Sequence, residues 1–318
     1  MPALVTHYLF GESILPELPS RLRATDAQRK AFLVGNQGPD PFFFAVTTAR
    51  GSEVRSMGHH MHNGHIAAVF DALRDGCARL PEDARPVGEA FACGLLGHYV
   101  LDRTAHPYVY AHEFELCDNN PELSDAYHEV HALIESDVDC GMLRLRRGLS
   151  TAEFPPVGVL DMPAEAEAAA GALLAQCALE VFGLALRPAD YPGALADMRR
   201  CYRAIEPAGS ARSRGIGMLE RRARPHSQME ALAHRTDVDE TCAAMNLRHL
   251  PWANPFVADA TPSTEGFPEV FERARADYAR QLPLFLEGAQ ASLITDGVNY
   301  EGQHLGPDEE PQEFDRPL

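Results

Sequence analysis

The chain is 318 residues long, 45% hydrophobic and 23% charged, which excludes global disorder and suits one large domain or two modest ones. Its 28 basic and 46 acidic side chains leave a formal charge of −18. That surface repels phosphate backbones, so no stable nucleic-acid complex held by electrostatics is expected. Seven scattered cysteines without a C-x-x-C pair suggest neither a disulfide framework nor a thiolate zinc site.

In chain order, the opening MPALVTHYLFGESILPELP lacks a basic stretch followed by a long apolar one. No secretory signal is read there, and the cytoplasm is the expected location. Helical hydrophobic periodicity follows at about 10–33, 62–80, 87–106, 124–146, 163–183, 191–205, 211–224 and 267–288. Prolines 86, 163, 192 and 268 sit near the starts of their windows, where a missing N–H costs little. No window alternates with period two, so no half-buried strand is expected. The most apolar stretch is continuous only from Ala168 to Ala175, against the ~20 residues of a membrane span. The expectation is a single all-α, multi-helix domain over residues 1–304 and an acidic, disordered tail over 305–318.

Histidines carry the chemical signal: ten of the 14 precede residue 132. In FACGLLGHYVLDRTAHPYVY, His98, Asp102 and His106 recur every four residues and so share one helix face. Two imidazoles and a carboxylate form a natural edge for a metal, since zinc takes histidine nitrogen and carboxylate oxygen. The same spacing also suits a polar helix edge with an internal His–Asp hydrogen bond. His131 and Glu135 form a second such pair, with His128 one turn earlier as ligand or as donor to one; an exposed Glu–His pair would look the same. Asp40 ends the Gly/Pro turn of VGNQGPDPFFF beside three phenylalanines that we expect to be exposed, where a turn-capping role is the plain alternative. SMGHHMHNGH adds His59, His60, His62 and His65. Together these offer more nitrogen and oxygen ligands than one zinc can use, which points to a multinuclear site.

THYLFG, the GNQGPD turn, Met61–His62, GHYVLDRTAHP and H-x-x-x-E, in that order, resemble the zinc-dependent phospholipase C family and, more distantly, the zinc nucleases. NLRHLPWANP and FPEVFERARADY are weaker echoes, so the resemblance runs to about residue 302, with its specific part in the first 140. It implies two or three zinc ions in an all-helical cleft. Asp40, His62 and His98 would hold one ion, Asp102 would bridge it to a second that also takes His7, and His106, His131 and Glu135 would hold the third. It further implies a phosphodiester hydrolase that releases a phosphorylated headgroup by attack of activated water, with Asp40 as general base. The substrate would be a phospholipid or another small phosphodiester. A phosphatase or nuclease on a soluble substrate, or a non-catalytic metal-binding scaffold, is the competing reading.

Three departures from the family pattern matter. The secreted members use their mature N-terminal amino group as a ligand, whereas His7 here lies close to Met1, so His59 or His65 is an alternative for the second ion. Those enzymes place five residues between the aspartate and the next histidine and this chain places three, which leaves His112 as an alternative to His106. Pro41 stands where they carry an aromatic headgroup contact, a role open to Phe42, Phe43 or Phe44. Elsewhere, ARSRGIGMLERRARPH reads as a solvated helix face and Trp252 as a packing anchor. His226, His234, His249 and His304 are not read as ligands. The sequence leaves the oligomeric state open.

Overall fold

A computed structural model describes residues 3–48, 50–236 and 242–306. The helices are α1 (Leu4–Ile14), α2 (Asp26–Gly35), α3 (Gly51–Asn63), α4 (Ile66–Arg79), α5 (Arg85–Asn119), α6 (Tyr127–Arg147), α7 (Ala164–Phe182), α8 (Asp190–Ile205), α9 (Ala211–Glu220), α10 (Gln228–Ala231), α11 (Phe267–Leu286) and α12 (Ser292–Thr295). Among the described residues there is no strand beyond two isolated bridges, Trp252–Ser263 and Val298–His304. The domain is all-α, as expected. None of the described helices is long and apolar enough to cross a membrane. The acidic tail lies, from residue 307 on, outside the described residues.

Two of the predicted windows need correction. The first does not form one helix over 10–33. Pro16 and Pro19 interrupt it with short 3-10 turns, and a capping box starts α2 afresh, where the Thr25 hydroxyl accepts from Gln28 N–H and the Gln28 side chain accepts from Thr25 N–H. The central window does not stop near 106. Helix α5 passes through Pro107 and runs 35 residues, or about 50 Å at 1.5 Å per residue. Proline there forfeits one helical hydrogen bond, and Gly302 packs directly against Pro107 and the Arg103 carbonyl, in a space too small for any Cβ.

Helix α5 is the axis of the fold, with α1, α2, α4, α6, α7 and α11 packed around it. Its Phe91, Leu95, Leu96, Tyr99 and Val100 are fully buried in the core. The α2–α5 crossing is close: a Cβ on Gly94 would lie 2.1 Å from the Phe32 carbonyl oxygen. Only glycine permits that approach. It brings the Asn36 carbonyl, just beyond the end of α2, onto the His98 ring.

Candidate metal centre

Five elements converge on one buried patch. Helix α1 supplies His7, the 3-10 turn Asp40–Phe44 supplies Asp40, and α3 supplies His62. Helix α5 supplies His98, Asp102 and His106, while α6 supplies His131 and Glu135. All eight side chains are buried, none more than 6% exposed. They form groups able to hold metal ions: His7–Asp40–His98, His62–His98–Asp102 and His106–His131–Glu135, with ligand atoms within 4.8 Å of one another in each.

Asp102 has one oxygen for each side of the first cluster. Its Oδ1 lies 3.0 Å from His7 Nε2, while its Oδ2 lies 3.1 Å from His98 Nε2 and 3.9 Å from His62 Nε2. Asp40 Oδ1 lies 3.2 Å from His62 Nε2 and 3.8 Å from His98 Nε2. In the second cluster, Glu135 Oε1 is 3.6 Å from His106 Nε2 and 3.5 Å from His131 Nε2. Tetrahedral zinc with bonds of about 2.0–2.2 Å spaces its ligand atoms about 3.4 Å apart. The donor set therefore fits metal ions in chemistry and in spacing.

The far side of each ring is also fixed. His62 Nδ1–H donates to the Gly58 carbonyl at 2.7 Å, His98 Nδ1–H to the Asn36 carbonyl at 3.1 Å, His106 Nδ1–H to the Tyr300 carbonyl at 2.7 Å, and His131 Nδ1–H to Glu113 at 2.7 Å. A neutral imidazole that donates from Nδ1 presents a lone pair at Nε2. Here each of those lone pairs faces carboxylate oxygens, which accept and cannot donate. Such a face needs cations or protons, and this outer hydrogen bonding is the arrangement that orients histidines on metals. His62 Nε2, His98 Nε2 and Asp40 Oδ1 are buried and make no hydrogen bond.

Electrostatics agree with that reading. Burial alone would raise the Asp40 and Asp102 carboxyls, but the neighbouring histidines, His98 first, hold Asp40 below its usual range and Asp102 well below it. Burial opposes protonation of His106, yet Glu301, Asp102 and Glu135 lift it to about 10; against the same opposition Glu135 and Glu113 lift His131 to about 9. For His98 burial wins and lowers the pKa. Without a cation, His106 and His131 hold protons instead.

Of the alternative ligands, His59, His65 and His128 are exposed, and none of the three stands in a metal-competent group. His65 caps α4 with a left-handed backbone and lies against Phe182. His112 turns away: six residues beyond His106, it points about 120° round the helix, lies tilted against the Tyr108 ring and donates to its carbonyl. Met1 and its amino group lie outside the described residues. The expectation of three exposed phenylalanines is corrected. Phe42 and Phe44 are buried against Tyr191 and Tyr202, because the 3-10 turn directs both into the core, and only Phe43 faces out, against His59 and His62.

A cleft of about 350 Å³ opens onto His62 and His131, with Phe43, Tyr110, Glu113 and Glu301 among its walls. Sequence reading missed Glu113, Tyr300 and Glu301. Glu113 lies seven residues beyond His106 on α5, so helix geometry offered a hint. Tyr300 and Glu301 offered none. Tyr300 N–H donates to the His62 carbonyl, while the Glu301 carboxylate lies 3.4 Å from His106 Nδ1 and accepts from the Tyr110 hydroxyl. One C-terminal turn thus braces both clusters. The arginine-rich run is mostly exposed, as read, although Arg224 reaches the cleft wall. Trp252 packs edge-on against Tyr108 and donates to the Glu265 carbonyl. No protein-family model matches the chain, and no curated protein or solved structure matches it either.

Proposed function

We propose that the protein is a zinc-dependent phosphodiester hydrolase, similar in chemistry to the zinc-dependent phospholipases C. One observation carries the reading: four histidines are anchored at Nδ1, and their Nε2 atoms converge with three carboxylates beside an open cleft. His7, Asp40, His62, His98 and Asp102 would hold two ions, and His106, His131 and Glu135 a third. Nitrogen and oxygen donors without sulfur suit zinc, and the described cysteines lie outside all three groups. When bound, the ions would supply Lewis acidity, lowering the pKa of water and neutralising phosphoryl oxygens.

The chain's own residues supply the rest. Asp40, held ionised by His98 and His62, accepts a proton as the water oxygen bonds to phosphorus. The ester P–O bond breaks, and the leaving alkoxide takes up the proton that Asp40 accepted, which returns Asp40 to its ionised form. Glu113 and Tyr300 hold the His131 and His106 rings in register, and Phe43 lines the approach. A phospholipid headgroup ester is one substrate class. A small soluble phosphoester is the second, favoured by the burial of Phe42 and Phe44, which leaves Phe43 alone of the three phenylalanines to line the cleft.

The test is metal analysis combined with hydrolysis of p-nitrophenyl phosphodiesters. Two or three zinc equivalents, activity abolished by chelation and restored by zinc, and no cleavage of single-stranded DNA are expected. Less than one equivalent after gentle purification, or sulfur ligation by X-ray absorption, overturns the multinuclear reading. Full metal loading without hydrolysis of any phosphate ester leaves a scaffold.

A further inference from the structure

The exposed rim of the cleft carries an arginine and no carboxylate. Against a net −18, the exposed residues of the mouth are His59, Asn63, His128 and Arg224, with no carboxylate among them. The two carboxylates in the cleft wall lie deeper and are already engaged. Glu113 accepts from His131 at 2.7 Å, and Glu301 accepts from the Tyr110 hydroxyl at 2.7 Å and lies against His106. Arg224, in the turn after α9, is half exposed. Its Nη1 lies 3.5 Å from Glu129 and its Nε 3.5 Å from Glu220, both longer than a close charge-assisted hydrogen bond, and the side chain lines the cleft.

A quaternary ammonium group is recognised by an aromatic cage or by exposed carboxylates. The rim of this cleft offers one half-buried phenyl ring, Phe43, set edge-on to His59 with centroids 4.9 Å apart, while Tyr110 is buried in the wall with its hydroxyl given to Glu301, so no cage of rings surrounds the mouth. An anion, by contrast, is recognised by a guanidinium fork with polar donors beside it. A volume of about 350 Å³ suits a small molecule with two functional ends.

We infer that the cleft selects a phosphoester carrying a second anionic group, a phosphate or carboxylate, which Arg224 binds at the mouth while the reacting phosphoryl group lies at the metal clusters. This rests on the metal-hydrolase reading and names its substrate class. Choline-type headgroups are disfavoured by the same geometry. The second anion can sit on a lipid headgroup or on a soluble ester, and the chemistry at Arg224 is the same for both.

Calorimetric titration of the zinc-loaded protein with inorganic phosphate, phosphocholine and 3-phosphoglycerate tests this, since the last two differ mainly in the charge of their second group. We expect 3-phosphoglycerate to bind about tenfold more tightly than phosphocholine, the worth of one charge-assisted contact. Arg224→Gln should erase most of that preference, with a much smaller loss for inorganic phosphate, and Arg224→Lys should restore part of it. Equal or tighter binding of phosphocholine, or a preference that survives Arg224→Gln, overturns the inference alone. No binding of inorganic phosphate by zinc-loaded protein overturns the metal-hydrolase reading and this inference with it. Phosphatidylcholine vesicles containing phosphatidylinositol 4-phosphate separate the two sources. Displacement of bound 3-phosphoglycerate by them supports a lipid anion, and failure to displace it supports a soluble ester.

Discussion

Asp102 and Glu135 are both buried carboxylates among histidines, yet they differ in how many partners they serve. Asp102 offers separate oxygens to His7 and His98, whereas Glu135 turns one oxygen to both His106 and His131. Removing charge from Asp102 exposes two ion positions to loss. Asp102→Asn is therefore expected to lower metal content by one to two equivalents and to abolish hydrolysis, while Glu135→Gln lowers it by no more than one. Equal metal content in the two variants, measured by plasma emission, would contradict a bridging role for Asp102. The rings of the second cluster carry a pH consequence. With His106 raised to about 10 and His131 to about 9, both hold protons in the metal-free protein at neutral pH, and a metal must displace them. Zinc binding at pH 7 should release about two protons from this cluster, and affinity should climb until pH passes about 9 to 10. Titration in buffers of different ionisation enthalpy counts those protons.

At the level of whole helices, α1 is held by a network that the sequence did not reveal. The N–H groups of Val5 and Thr6, in the first turn of α1, donate to Asp139 on α6 at 2.8 and 2.6 Å. Asp139 also accepts from His234 Nε2 at 2.8 Å, and the other nitrogen of His234 bonds Glu206, just past α8. A carboxylate at a helix N-terminus satisfies free N–H groups and complements the dipole. This one also fixes the register that points His7 at Asp102. Burial opposes the charge on His234, but its bonds to Asp139 and Glu206 raise its pKa to about 9. A pKa raised in the folded state adds stability below the unfolded value near 6.5, and that stability fades as pH rises through 9. The stability difference between the native protein and His234→Gln should therefore be up to about 3 kcal/mol larger at pH 6 than at pH 10. Urea denaturation at both pH values measures it, and a difference independent of pH would remove the protonated His234 from the account.

For the molecule as a whole, the proposed metals are also cross-links. The eight candidate ligands come from α1, the turn at Asp40, α3, α5 and α6. A ligand that binds only the folded state stabilises it by mass action, about 2.7 kcal/mol when present at a hundred times its Kd. Chelation should thus lower the unfolding temperature by several degrees, on the order of 5 °C for a chain of this size, and zinc should restore it. The core around α5 is large enough to keep the metal-free chain folded. Loss of helical circular dichroism at room temperature on chelation would instead make the ions essential for folding.

The sequence by itself determined the helical class, because a 3.6-residue apolar period is a local property that survives in isolated segments. It also placed His98, Asp102 and His106 on one face of a helix and His131 above Glu135, since i, i+4 stacking follows from helix geometry alone. It could not tell a metal edge from a polar helix edge, because that depends on what lies opposite. What lies opposite is set by the tertiary structure, through the glycine-lined α2–α5 crossing that puts Asn36 against His98 and the turn that brings Asp40 and His62 to the same patch, where the side chains could hold metal ions. The same holds for His106 over His112, for Phe43 as the one ring of its three that is not buried, and for Tyr300 and Glu301, which brace histidines nearly 200 residues away. Such contacts join segments far apart in the chain, so no spacing along the sequence encodes them; the packing of α5 against its neighbours does.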